Sequence, residues 1–210
     1  MQVIALCGYA GSGKDTAAEA LIEQGWQRVS FADPIREMLL AINPYVQVPR
    51  KRHWLSWFEN WLCGPYICTP VGMALWWDAG GSWDRLKQIS PDIRGLLQRI
   101  GTEAGREILG EYVWVDIAYT KIWEAKQAGC PGVVVTDLRF ANEHETVRDP
   151  EGIRDFQSTI IRISRPGVGP VNDHESDQHL AGFEVDHELV NDGDKEQLWA
   201  SIRAIAKGGE

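Results

Sequence analysis

The chain has 210 residues, 44% of them hydrophobic and 24% charged, and a formal net charge of −9 at pH 7. That length buries a sizeable core and suits one domain with an elaboration, or one and a half domains. The negative balance argues against a nucleic-acid backbone as main partner, but it leaves anionic small molecules open to a few local Arg and Lys. No stretch reaches 18 apolar residues and no basic region opens the N-terminus, so neither a membrane span nor a signal peptide is expected. Cys7, Cys63, Cys68 and Cys130 show no disulfide framework, which points to a reduced, cytoplasmic setting. His53, Cys63 and Cys68 are too loosely spaced for a structural zinc site and read as ordinary side chains.

The first element is QVIALC (2–7), a continuous apolar run followed by glycines, as in a buried parallel strand. KDTAAEALIEQ (14–24) gathers Ala17, Ala18, Leu21 and Ile22 on one face and stops at Gly25, so it predicts a helix. WQRVSF (26–31) reads as a second strand. Asp33 then caps a helix that Pro34 opens, PIREMLLAI (34–42). Residues 43–90 differ in kind: they hold Pro44, Pro49, Pro65 and Pro70, the basic run Arg50-Lys51-Arg52, and six of the ten Trp. They read as an inserted helical subdomain on a single domain spanning 1–210, with at least one short helix, HWLSWFENWL (53–62).

Three helical patterns follow: PDIRGLLQRI (91–100), TEAGREILG (102–110) and YVWVDIAYTKIWEAKQAG (112–129). GVVVTD (132–137) and QSTIIRIS (157–164) are buried strands, separated from the last short strand, HELVND (187–192), by a Gly/Pro/His-rich loop at 165–178. DKEQLWASIRAIAK (194–207) closes the chain as a helix. Strands alternating with helices predict an α/β fold, a parallel sheet of about five strands with helices on both faces.

GYAGSGK (8–14) spells G-x-x-x-x-G-K between an apolar strand and a helix, the context that a phosphate-binding loop requires. Gly8, Gly11, Ser12 and Gly13 would cradle phosphate and Lys14 would neutralise its outer oxygens. The plainer alternative, a Gly-rich turn with a surface lysine, lacks a reason for that context. The residue after the lysine is Asp15 where Ser or Thr is usual, and Thr16 follows. Nucleoside monophosphate kinases also lack a hydroxyl there, and their G-x-x-G-x-G-K-G-T loop is similar to this one. Asp15 could meet Mg²⁺ or its waters, or simply place negative charge at a helix start; both readings stand. Thr16 could bond the α-phosphate.

Asp137 ends an apolar strand, where phosphate-loop proteins keep a second metal-organising acid, and Arg139 follows at the edge where α/β sheets bind ligands. Arg139 could grip phosphate bidentately, or pair with Glu143 or Glu145 on a helix. Arg36, in the first turn of its helix, could hold an acceptor phosphate or lie on a solvated face.

GKDT with FADPIR (31–36), LQRIGTEAGR (97–106), DLRFANE (137–143) and NDG (191–193) resembles the deoxynucleoside monophosphate kinases of tailed bacteriophages. The likeness covers most of the chain outside 43–90. It implies transfer of a phosphoryl group from ATP, with Mg²⁺, to deoxynucleoside 5′-monophosphates such as dGMP and dTMP, in the host cytoplasm if the protein is phage-encoded. It implies catalytic roles for Lys14, Arg139 and Arg165, the last on a lid at 165–178 that Arg162 also flanks. Asp33, Arg36, Arg99, Glu103 and Arg139 would serve the acceptor. Asn191 and Gly193 would pass backbone against adenine, and Asp15 and Asp137 would hold the metal. Small-molecule substrates are the expected partners, without nucleic acid or membrane. Two rivals remain: a phosphate-loop kinase for another acceptor, such as dephospho-coenzyme A, and a nucleotide-dependent switch ATPase.

The Trp-rich insertion allows three readings: a small core, stacking on the acceptor base, or packing on a second copy. A mixture of acceptor cap and two-fold homodimer contact is expected, because so short a segment builds a poor core by itself.

Overall fold

The computed structural model describes residues 1–49, 66–148, 156–169 and 182–208. The chain divides into two compact units, Met1–Phe31 with Trp114–Glu210, and Ala32–Val113.

The first unit is built on a five-stranded, wholly parallel sheet: β1 (Gln2–Cys7), β2 (Gln27–Val29), β5 (Gly132–Val135), β6 (Gln157–Ser164) and β7 (His187–Val190), in the spatial order β2-β5-β1-β6-β7. Its helices are α1 (Lys14–Ile22), α6 (Val113–Gln127), α7 (Ala141–Arg148) and α8 (Lys195–Gly208). β1 is apolar throughout because both of its faces are covered. Val3, Ala5 and Cys7 join Ala118, Ile122 and Ala125 of α6 in one buried cluster. Ile4 and Leu6 point the other way, into a cluster with Ala17, Ala18 and Leu21 of α1 and Leu198 and Ile202 of α8. Period-two alternation thus feeds two cores from one strand. Trp26 completes the second cluster. It packs so closely on Gly132 that a Cβ there would lie 2.6 Å from the indole.

The second unit begins with α2 (Asp33–Ile42) and an antiparallel hairpin, β3 (Tyr45–Pro49) and β4 (Tyr66–Pro70). Its remaining helices are α3 (Val71–Met73, widening to a π-helical turn at Ala74–Asp78), α4 (Trp83–Ile89) and α5 (Asp92–Arg99, continuing π-helically through Ile100–Leu109). Three expectations change here. Asp33 does not cap α2: Ala32 is the N-cap, and the Asp33 carboxylate instead accepts from Arg36 at 2.9 Å. The two helices expected at 91–100 and 102–110 run together, because a wide turn carries the helix past Gly101 without a break. Residues 43–90, expected to be helical, include a hairpin; Pro49 and Pro70 sit at strand ends, where a missing N–H is tolerated. The helix expected at 53–62 lies outside the described residues. Among the described residues no helix is long and apolar enough to cross a membrane.

Candidate active site

The phosphate loop leaves the carboxyl end of β1, the central strand, and turns into α1. Gly13 is the N-cap of α1 with φ 104°, a left-handed conformation that glycine adopts at little cost. It has no side chain to cap the helix, and no other side chain does so. The first amides of α1 are therefore left for an anion, with the positive end of the helix dipole behind them. Gly8, at the other end of the loop, lies so close to β6 that a Cβ would come within 2.2 Å of the Ile163 carbonyl oxygen.

Lys14 is buried, and its ammonium donates to the carbonyls of Gly8 at 2.6 Å and Tyr9 at 2.7 Å. Two of its three protons are thus used to curl the side chain over the loop, and one remains for a ligand oxygen. Burial, and next the positive charge of Arg139, pull the Lys14 amine down to about 8; Asp15, Cys7 and Asp137 act in the opposite sense but more weakly. Two cations held near each other in a partly dry place form a site for a polyanion.

Arg139 stands two residues beyond Asp137, as expected, but Glu143 is not its salt-bridge partner. The buried Glu143 carboxylate accepts from the backbone N–H groups of Arg139 at 2.8 Å and Phe140 at 3.1 Å, capping α7. Among the described residues no ion pair holds the Arg139 guanidinium, and its charge is felt at Lys14. Asp137 ties two strand ends together. One of its oxygens accepts from Ser30 Oγ at 2.7 Å and the other from the Phe31 amide at 2.9 Å. Asp15 is exposed on the first turn of α1, and Thr16 follows it half-buried.

Cys7 lies directly under the loop; burial pushes its thiol up, against the pull of Arg162 and Lys14. Arg162 was expected to flank the lid. It projects from β6 and bonds Glu188 on β7 at 2.5 Å and the Phe183 carbonyl at 2.6 Å. Arg165 is exposed and opens a turn closed by its own carbonyl and the Val168 amide at 3.0 Å. The rest of the expected lid, 170–178, lies outside the described residues.

Behind the lid segment the chain is clasped to the sheet. Arg148 bonds Asp186 at 2.7 Å and the Glu184 carbonyl at 2.8 Å, while the His144 ring stacks on Phe183 with 4.8 Å between centroids. Burial alone would raise the Asp186 carboxyl, but the Ile160 amide and Arg148 outweigh it and hold it below its ordinary value.

On the other side of the loop stand Asn191, which the sequence had set against adenine, and Trp199, to which it gave no role. Asn191, at the end of β7, donates from its side-chain amide to the Ser12 carbonyl at 2.8 Å. Trp199 on α8 donates to the Thr16 carbonyl at 2.7 Å, with Lys195 and Arg203 over its ring. Gly193 is exposed beside Gln197, whose side chain occupies the place a Cβ would take.

In the second unit Arg36 pairs with Asp33, and Arg99 pairs with Glu103 at 3.2 Å on an exposed helical face. Burial works to raise the Asp84 carboxyl, but Lys87, bonded to it at 3.1 Å, with Arg36 and Arg94, brings it below its ordinary value. Four of the five residues expected at the acceptor thus form two local pairs, and the fifth, Arg139, belongs to the first unit.

A wholly parallel sheet, a glycine-rich loop at its central strand and a buried lysine at an uncapped helix define a phosphate-loop α/β protein. The family model for deoxynucleotide monophosphate kinase matches residues 84–202. A deoxynucleoside-5′-monophosphate kinase of Escherichia phage T5 is 28% identical, over 90% of this chain and 89% of its own length. A protein of Acanthamoeba polyphaga mimivirus, provisionally named deoxynucleotide monophosphate kinase, is 29% identical over 96% of this chain and 94% of its own. Among solved structures, the APS kinase CysC of Mycobacterium tuberculosis aligns over 98% of this chain and 96% of its own, at a TM-score of 0.40 and 14% identity. The chain belongs to the deoxynucleotide monophosphate kinase family, and it is a phosphotransferase.

Proposed function

We propose that the enzyme moves the γ-phosphoryl group of ATP to the 5′-phosphate of a deoxynucleoside monophosphate, such as dGMP or dTMP, for DNA precursor synthesis. The observation that carries this reading is a buried Lys14, bonded to the loop carbonyls at an uncapped helix start and within the field of Arg139. Like charges repel, so a fold keeps two cations together where an anion will join them. A triphosphate supplies enough negative charge to reverse that repulsion.

The acceptor is a phosphate monoester, largely ionised near neutral pH, so its attacking oxygen needs no strong general base. What remains is to bring two polyanions together and to stabilise the charge on the phosphoryl group in flight. Lys14 binds the outer donor oxygens through its free proton. Arg139 lies on the same side and offers two parallel N–H donors to the transferring group. Asp33 and Arg36 on α2, and Arg99 and Glu103 on α5, are proposed for the acceptor, with Arg165 closing over the reaction. Water exclusion then matters, because a shielded phosphoryl group that meets water is lost to hydrolysis.

The residues fit Mg²⁺. Among the described residues no cluster of three or more His, Cys, Asp or Glu builds a cage. Mg²⁺ needs none: it takes one or two carboxylates, phosphate oxygens and water. Asp15 is exposed beside the loop, and Asp137 presents a carboxylate at the end of the neighbouring strand. These two would hold the ion, and when bound it would neutralise charge on the bridging phosphate oxygens.

The test is ADP release from ATP with each deoxy- and ribonucleoside monophosphate in turn. Release that depends on a deoxynucleoside monophosphate, with the diphosphate as product, is expected. Equal release without acceptor would indicate a switch ATPase. Release stimulated only by dephospho-coenzyme A or another small acceptor would overturn the substrate assignment.

A further inference from the structure

We propose that Asn191 is a positioning residue for the phosphate loop, acting through the Ser12–Gly13 peptide and not through the nucleotide base. The inference rests on the loop reading above. Asn191 links the ends of β6 and β7 to the phosphate loop. Its backbone N–H donates to the Ser164 carbonyl at the end of β6, at 2.7 Å. Its side-chain amide donates to the Ser12 carbonyl at 2.8 Å. Ser12 itself stands five residues past the end of β1.

The consequence follows from peptide geometry. No peptide bond in the described chain is cis. In a trans peptide the N–H points opposite its carbonyl. With the Ser12 carbonyl held against Asn191, the Gly13 N–H is turned away from Asn191, and among the described residues it donates to no protein acceptor. It thereby joins the open amides at the start of α1. The Ser12 N–H is already spent on the Tyr9 carbonyl at 3.2 Å. The loop's last free amide before the helix is therefore aimed by a side chain 179 positions away.

The fit is close from the other side. A Cβ on Gly13 would lie 2.3 Å from Asn191 Nδ2, and 3.5 Å from Leu198 Cδ2. The amide is seated on the Gly13 backbone, so this glycine is needed for the brace as well as for its positive φ. The chemistry also selects the residue type. A carbonyl demands a donor, so Asn can serve here and Asp, with the same shape, cannot: it would set a carboxylate against the carbonyl oxygen.

Asn191→Asp and Asn191→Ala, with wild type and Lys14→Ala beside them, give the test. Inorganic tripolyphosphate, ATP and adenosine are titrated against each by calorimetry, and thermal unfolding is followed in parallel. Asn191→Asp is expected to weaken tripolyphosphate and ATP equally, by about tenfold or more, to leave adenosine unchanged, and to lower kcat with it. Asn191→Ala is expected to fall between it and wild type, and it serves if the aspartate variant does not fold. A folded alanine variant that binds tripolyphosphate as wild type does would overturn the proposal. So would a loss confined to ATP and adenosine, which would move Asn191 to the base. Failure of the loop reading looks different: wild type and Lys14→Ala would then bind tripolyphosphate equally poorly.

Discussion

Lys14 destabilises the fold that it serves. Its amine is near 8 in the folded protein against an ordinary 10.5. Between those values the unfolded chain holds a proton that the folded one has released, so stability rises with pH there, and below 8 the whole penalty is present. Lys14→Met keeps the length and removes the charge. It is expected to raise the unfolding free energy of nucleotide-free protein by about 1–3 kcal/mol at neutral pH. The advantage should shrink as pH climbs from 8 toward 10.5. Urea unfolding across that range checks it; identical pH profiles for variant and wild type would contradict the buried-cation account. The same variant should lose phosphoryl transfer by orders of magnitude, since a charge-assisted contact to the moving group is gone. Arg139→Ala should relieve Lys14 of its repulsion and raise the amine toward its ordinary value. Its kcat should fall about 10²–10³-fold, with ATP affinity in the absence of acceptor within a few-fold of wild type. A selective loss of ATP affinity would place Arg139 on the donor alone. For Asp15→Gly, the Mg²⁺ concentration for half-maximal rate should rise; an unchanged metal dependence with lower thermal stability would assign Asp15 to the helix dipole instead.

At the scale of the element, tight packing rather than polar chemistry sets the limits. Gly132→Ala would drive a methyl into the Trp26 ring, 2.6 Å away, on a central strand that cannot shift without breaking two ladders. We expect a loss of about 1–3 kcal/mol and a lower Tm, with kcat unchanged in the fraction that stays folded. The parallel strands were legible because covered strands carry apolar cores bounded by turn signals: QVIALC and QSTIIRIS match β1 and β6 residue for residue. The hairpin β3–β4 was not, because Tyr45–Pro49 and Tyr66–Pro70 are short, bounded by proline and separated by a long interval. Gly101 suggested a helix break, yet a π-helical turn absorbs it, and a Cβ there would press to 3.1 Å on Ile35 of α2. The catalytic loop itself was legible from spacing and context. Its supports were not: Asn191 and Trp199 act on backbone carbonyls of Ser12 and Thr16, and a contact to a carbonyl leaves no pattern in the partner's sequence.

At the scale of the whole molecule, the second unit presents Tyr45, Trp76 and Trp77 at 72%, 67% and 73% exposure. Large aromatics left this open favour association, and a two-fold homodimer is expected. Sedimentation at micromolar concentration should give twice the mass of 23.6 kDa, and Trp76→Ser should shift it toward monomer. A strict monomer would remove the expectation.

The distance along the chain between the loop and its braces has a bearing on how the protein is made. The residues of GYAGSGKDT leave the ribosome well before the partners that hold Ser12, Thr16 and Ala20, which sit at the end of β7 and on α8. A nascent chain that stops short of residue 187 contains Lys14, Asp137 and Arg139 but none of these braces. Such a fragment has every signature residue of the loop and its internal bonds, but not the side chains that hold it from outside. Activity is therefore expected only once β7 and α8 have been synthesised.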